Sequence, residues 1–156
     1  MDFEIKRTPG YNVASMRYVG PYKDNILRKE FELIASWARK SKLGTGKWFF
    51  YELDGPNKPA SKRRWDACIE IRGKARPGDK IRLKKIPRTT VACVKFDPDQ
   101  VSARLVYHGL ESWLKWRRKY GEYKESGATR EVYSGNPWTS KSAWASTEIQ
   151  IPVRKL

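Results

Sequence analysis

Val13-Ala14-Ser15-Met16-Arg17-Tyr18 is written a second time as Val91-Ala92-Cys93-Val94-Lys95-Phe96, and this repetition decides how the chain is read. Three further landmarks recur in the same order, at spacings between 76 and 82 positions. Ser36-Trp37 returns as Ser112-Trp113, and Tyr51-Glu52-Leu53-Asp54-Gly55-Pro56 returns one residue shorter as Tyr133-Ser134-Gly135-Asn136-Pro137. Cys68-Ile69-Glu70-Ile71 is answered by Glu148-Ile149-Gln150-Ile151. Each match alone is weak, but four in one order indicate an internal duplication. The first repeat covers about residues 1–76 and the second about 80–156, inside a single domain spanning 1–156. Two copies of a small unit meet at a seam, and a seam is where a pocket is expected.

Local patterns give each copy the order strand, helix, strand, strand. Residues 11–19 alternate as a strand that Gly20-Pro21 ends. Asp24 is the expected N-cap of a helix carrying Leu27, Phe31, Ile34 and Ala38 at spacings of three and four, with Gly44 and Gly46 as its stop. Trp48 to Tyr51 and Trp65 to Ile71 read as the next two strands, and Gly73 to Lys80 as the connection between copies. In the second copy, Thr89 to Phe96 is a strand. Asp97-Pro98-Asp99-Gln100 then reads as a helix start, with Asp97 capping, Pro98 in the first helical position and Gln100 completing a capping box. Val101, Leu105, Leu110, Trp113 and Leu114 supply its apolar stripe, and Gly121 its stop. Arg130 to Ser134 and Ser146 to Val153 are the remaining strands.

The composition fits a folded, soluble domain, with 39% hydrophobic, 13% aromatic and 32% charged residues among 156. No apolar run approaches the roughly 20 residues that span a bilayer. Met1-Asp2-Phe3-Glu4-Ile5 lacks the layout of a signal peptide, so a cytoplasmic location is expected. Cys68 and Cys93 sit singly on strand-like segments and read as small buried hydrophobes. A net charge of +16 attracts polyanions in a salt-dependent way. The cations concentrate between Lys58 and Arg88 and at Lys115, Arg117, Arg118 and Lys119. A solvated basic surface is the favoured account of them, with non-specific nucleic-acid binding as the alternative.

Much chemistry is excluded. With His108 as the only histidine and no paired cysteine spacing, the usual zinc sites are unavailable, and no metal or cofactor is expected. Gly44-Thr45-Gly46-Lys47 lacks the spacing and the following helix of a phosphate loop. What remains is aromatic surface with one carboxylate. Glu131 and Tyr133 lie two apart on a strand and so share a face, and the repeat assigns Phe49 and Tyr51 to the equivalent face of the first copy. If the copies face each other about an approximate two-fold axis, these four converge with Trp37 and Trp113 from the helices. A carboxylate among ring faces suits a flat, partly apolar cation. Core packing is the competing reading for Phe49, Tyr51, Trp37 and Trp113, and a surface ion pair the competing reading for Glu131.

Arg17-Tyr18-Val19-Gly20-Pro21-Tyr22, Glu111-Ser112-Trp113-Leu114, Arg130-Glu131-Val132-Tyr133 and Ile149-Gln150-Ile151-Pro152-Val153 together resemble the GyrI-like small-molecule-binding family. This family comprises gyrase-inhibitor-like proteins and the effector domains of multidrug-sensing transcription regulators. The resemblance covers nearly the whole chain. It implies an α+β fold made of two strand-helix-strand-strand modules, with an antiparallel sheet, two main helices on one face and a cleft on the pseudo-two-fold axis. It also implies ligands that are aromatic and often cationic, with Glu131 as the cleft glutamate and Trp113 and Tyr133 as its aromatic neighbours. The chain departs from the family at Phe96-Asp97-Pro98, where a glycine-proline motif is usual, at Leu53-Asp54, where paired acids are common, and in its high positive charge. With both helices used by the repeat, no helix-turn-helix is expected.

The leading expectation is a stand-alone binding protein for amphipathic aromatic, cationic compounds, lined by Glu131, Tyr133, Trp113, Tyr51, Phe49 and Trp37. Two alternatives stay open. One is a hydrolase of strained or electrophilic molecules with Glu131 as general base. The other is a module acting on a protein partner or nucleic acid through its basic surface.

Overall fold

The computed structural model describes every residue except Tyr120 and the side chain of Lys119, the last of the four basic residues expected at the helix end. The chain adopts the expected α+β architecture and divides into two compact units. The first is Gly10–Pro87, and the second joins Met1–Pro9 to Arg88–Leu156. Among the described residues no helix is long and apolar enough to cross a membrane.

In the first unit, β2 (Tyr11–Val19), β3 (Gly44–Glu52), β4 (Arg64–Arg72) and β5 (Arg82–Ile86) form an antiparallel sheet in the order β5-β2-β4-β3. Helix α1 (Asp24–Lys40) lies on one face, burying Leu27, Phe31, Ile34 and Ala38. Directly opposed residues in an antiparallel pair share a face. Ala14, Ile69 and Trp48 are aligned across three strands, and Phe31 stacks on Trp48 at 5.0 Å, so these mark the α1 face. Ser15, Cys68 and Phe49, then Arg17, Asp66 and Tyr51, mark the opposite face.

In the second unit, β1 (Glu4–Thr8), β6 (Thr89–Phe96), β9 (Thr147–Lys155) and β8 (Thr129–Tyr133) stand in that order, and β7 (Tyr123–Glu125) also pairs with β9. Helix α2 (Ala103–Lys119) buries Val106, Leu110 and Leu114 against Ala92, Val94, Phe96, Ile149, Ile151 and Val153. A short helix, α3 (Lys141–Ala145), precedes β9; the Ser140 hydroxyl caps it, accepting from the Ala143 amide at 3.2 Å.

The sequence pattern missed β1 and β5. Each precedes the first strand of one copy but pairs beside the first strand of the other: β1 leads into β2 yet joins β6, and β5 leads into β6 yet joins β2. Ile5-Lys6-Arg7-Thr8-Pro9 and Leu83-Lys84-Lys85-Ile86-Pro87 are therefore a further matched pair, and both units end or begin at their prolines.

Helix boundaries correct three expectations. Asp24 is the first helical residue and Lys23 the cap position. Gly44 and Gly46 do not end α1; the chain turns at Lys42 with φ 57°, and the Leu43 and Lys42 amides donate to Ala38 and Arg39 carbonyls. That pairing is a Schellman ending, which α2 repeats at Gly121 with φ 72°, as Glu122 and Gly121 donate to Arg117 and Arg118. Third, Asp97 does not cap α2. Its carboxylate accepts from the Asp99 amide at 2.9 Å and its carbonyl from Gln100 and Val101, so the segment is a turn and the helix begins at Ala103.

The matched endings set α1 and α2 in register, with Lys40 against Lys119 and the buried Leu27 and Phe31 against Val106 and Leu110. Trp37 then corresponds to Trp116 and Trp113 to Ile34, nearly one turn from the pairing suggested by the Ser-Trp repeats. Leu105, expected in the stripe, is 63% exposed.

The endings differ in cost. Lys42 carries a Cβ in the left-handed region, whereas Gly121 does not, and nothing lies within 4 Å of where a Cβ on Gly121 would stand. Lys42→Gly is expected to raise stability by about 0.5 kcal/mol, and Gly121→Ala to lower it by about 1 kcal/mol, in urea unfolding.

Candidate functional site

Glu131 on β8 is opposed by Ile149, a member of the core under α2, so its side chain lies on the α2 face. There the Tyr107 hydroxyl of α2 donates to Oε1 at 3.0 Å, and the Tyr133 hydroxyl donates to Oε2. Tyr133 is buried, while Glu131 and Tyr107 are half-buried. The chain has 33 basic residues for 17 acidic ones, yet among the described residues no cation pairs with Glu131. Asp54, Asp66, Glu122 and Glu148 are all ion-paired. Where the competing reading placed a surface ion pair, Glu131 has two neutral donors.

Strand β8 is set in place from its other face. Arg130 is fully buried, and its Nε donates to Gln150 Oε1 at 2.6 Å and its Nη2 to the Thr8 hydroxyl at 3.2 Å. Gln150 in turn donates to Glu148 at 2.8 Å, and Glu148 pairs with Lys6 at 2.6 Å. Burial alone would raise the Glu148 carboxyl, but Lys6 and Gln150 hold it below the usual range. In the first unit, Asp66 is likewise buried and is held low by Arg17 and Lys84 against the same desolvation.

The other candidate residues divide. Trp113 packs beside the α2 core, 5.9 Å from the Phe3 ring, with the Arg117 guanidinium 4.7 Å over its face. Phe49 is 1% exposed and sits 5.0 Å from Tyr11, on the sheet face away from α1. Tyr51 shares that face, with Lys84 Nζ 5.7 Å over its ring. Trp37 lies against the Pro77-Gly78-Asp79 turn, so closely that a Cβ on Gly78 would stand 2.8 Å from its Cδ1. The register therefore corrects two inferences: Cys68 to Ile71 match Gln150 to Val153, not Glu148 to Ile151, and Phe49 and Tyr51 match Arg130 and Val132, not Glu131 and Tyr133. A one-residue slip moves a side chain to the other face of a sheet.

Tyr107 was missed because the α2 stripe was phased on Leu105. The phase of Val106, Leu110 and Leu114 places Tyr107 beside the core. A second acid was also missed. Glu30 of α1 is 8% exposed and lines a small crevice with Tyr18, Tyr22, Phe50 and Trp65. Desolvation, and then the charge of Asp66, push its carboxyl up to about 7. Both cysteines are buried, and burial pushes the Cys93 thiol up to about 12.

The chain matches the GyrI-like small molecule binding domain over residues 1–154. It is 30% identical over 74 residues to the DNA gyrase inhibitor of Escherichia coli (strain K12), a stretch covering 47% of this chain and 46% of that protein. The chain thus matches less than half the length of this relative. The EcmrR C-terminal domain superposes with a TM-score of 0.76 at 22% identity, covering 99% of this chain and 98% of that one. SAV2435 bound to tetraphenylphosphonium superposes with a TM-score of 0.54 at 10% identity, covering 99% of this chain and 94% of that one. These two likenesses concern the fold.

The buried acids give the stability a defined pH dependence. Between about 4.5 and about 7, an unfolded Glu30 has released a proton that the folded chain keeps, so stability falls as pH rises through this window and levels above it. Asp66 and Glu148, held low, contribute stability that is lost as pH falls below about 4. Glu30→Gln is expected to remove the first slope and to be more stable than the parent at pH 8 by roughly 2 kcal/mol, read by denaturant unfolding across pH.

Proposed function

We infer the function from one premise: the chain belongs to the GyrI-like small-molecule-binding family. It is a small-molecule-binding domain, and we propose that it takes amphipathic aromatic cations with Glu131 as the charge partner. The observation that carries this reading is a half-buried carboxylate with no cation among the described residues, in a chain that has a surplus of them. Two tyrosine hydroxyls hold its oxygens in place without neutralising it. A positive ligand supplies the missing charge, and the Tyr107 and Tyr133 rings supply apolar and π surface beside it.

Magnitudes favour the local contact over the global field. At an effective dielectric constant of about 20, opposite charges 4 Å apart attract by about 4 kcal/mol. The repulsion of the +16 chain is screened beyond about 8 Å at physiological salt. Adding salt should therefore speed association of a cationic ligand, whereas a polyanion would be slowed and weakened.

Tryptophan quenching with tetraphenylphosphonium and its neutral analogue triphenylphosphine oxide tests the role of the acid. Glu131→Gln is expected to weaken the cation about tenfold or more and to leave the neutral compound within about twofold. Equal losses for both compounds would remove Glu131 as charge partner.

A further inference from the structure

The first unit carries a hollow of about 310 Å³ whose rim includes Arg17, Lys80, Arg82 and Lys84, with Ser15 and Asp66. Four cations stand against one carboxylate, and that carboxylate is already committed. Asp66 accepts from Arg17 Nε at 2.8 Å and Nη2 at 3.1 Å, and from Lys84 Nζ at 2.9 Å. Because Asp66 is buried and bonded to both, it orients these two cations at the rim. The Arg17 Nη1 donors have no partner among the described residues, and Lys80 and Arg82 pair with no acid there.

The duplication supplies an internal control. Pairing registers match Arg82 to Glu4, Lys84 to Lys6, Arg17 to Lys95 and Asp66 to Glu148, and counting two residues back matches Lys80 to Asp2. The acid and the lysine that bridge the strands are kept in both units. Counting that pair, the second unit has two cations against three carboxylates at these positions, whereas the first has four against one. A uniformly basic surface would not reverse sign at matched positions of one fold.

We propose that this hollow binds the terminal phosphate of a small molecule, a site separate from Glu131. Guanidinium forks and ammonium groups suit tetrahedral phosphate oxygens, and a phosphate monoester carries most of two charges at pH 7. The cations ring one hollow instead of following a track, which fits a single phosphate better than a nucleic-acid backbone. Lys84 also borders a larger hollow of about 480 Å³ with Ile71, Ala75 and Leu83 in its wall, which gives the organic part of an ester a place to rest.

Calorimetric titration at low, matched ionic strength with inorganic phosphate, phenyl phosphate and phenol tests the site. Both phosphates are expected to bind and phenol not to. Tighter binding of phenyl phosphate assigns the site to an ester, and equal binding assigns it to free phosphate. Lys80→Gln with Arg82→Gln, exposed side chains outside the Asp66 pair, should weaken phosphate about tenfold or more. Lys29→Gln with Lys40→Gln, an equal charge change on α1, should stay within about twofold. Equal losses in the two double variants, or binding of a short DNA duplex without binding of either phosphate, would overturn the proposal.

Discussion

Each unit depends on a buried carboxylate that reaches over a neighbouring strand to a lysine. Asp66 on β4 reaches across β2 to Lys84 on β5, and Glu148 on β9 reaches across β6 to Lys6 on β1. The strand secured in each case is the one whose flanking sequence belongs to the other copy. Without Lys6, Glu148 would be buried with no cation, at a cost of about 3–5 kcal/mol, whereas Asp66 without Lys84 keeps Arg17. In the second unit the pair continues through Gln150 to Arg130 and Thr8, which positions β8 and with it Glu131. The network on one face of the sheet thereby determines where the acid on the other face stands.

With the framework held by the same pair in both copies, the remaining polar positions were free to diverge. The second unit placed an acid beneath its helix, between two tyrosine hydroxyls. The first unit has the aromatic Phe50 at the position matching Glu131, and the acid on its helix-covered face comes from the helix itself as Glu30. At the rim of the exchanged strand the copies diverge in sign, one toward cations and the other toward carboxylates. Duplication therefore produced two chemical environments on one backbone plan.

The strands whose residues alternate or recur were readable: β2, β3, β4, β6, β8 and β9 all fall where the repeats and apolar runs place them. β1 and β5 were not, because their lysines and arginines leave too few apolar residues to show a strand pattern. Burial of a lysine stem becomes legible only once its acid partner across another strand is known. Asp97-Pro98 has the composition of a helix start, but the Asp97 carboxylate instead closes a turn on Asp99. Glu131 and Tyr133 were legible as neighbours on a strand face. Their third member, Tyr107, required the true helical phase, and the assignment of Phe49 and Tyr51 failed on a single residue of register. Period two makes strand faces easy to propose and equally easy to invert.

The binding surface proposed for an aromatic cation is the acid under α2 with its two tyrosines. The most direct measurement follows the ring carbon and proton resonances of all tyrosines by NMR during titration with tetraphenylphosphonium. Large shifts are predicted for Tyr107 and Tyr133 that saturate together, with Tyr123 and Tyr18 nearly unmoved. Saturable binding that leaves the Tyr107 and Tyr133 resonances in place would place the cation elsewhere and rule this surface out.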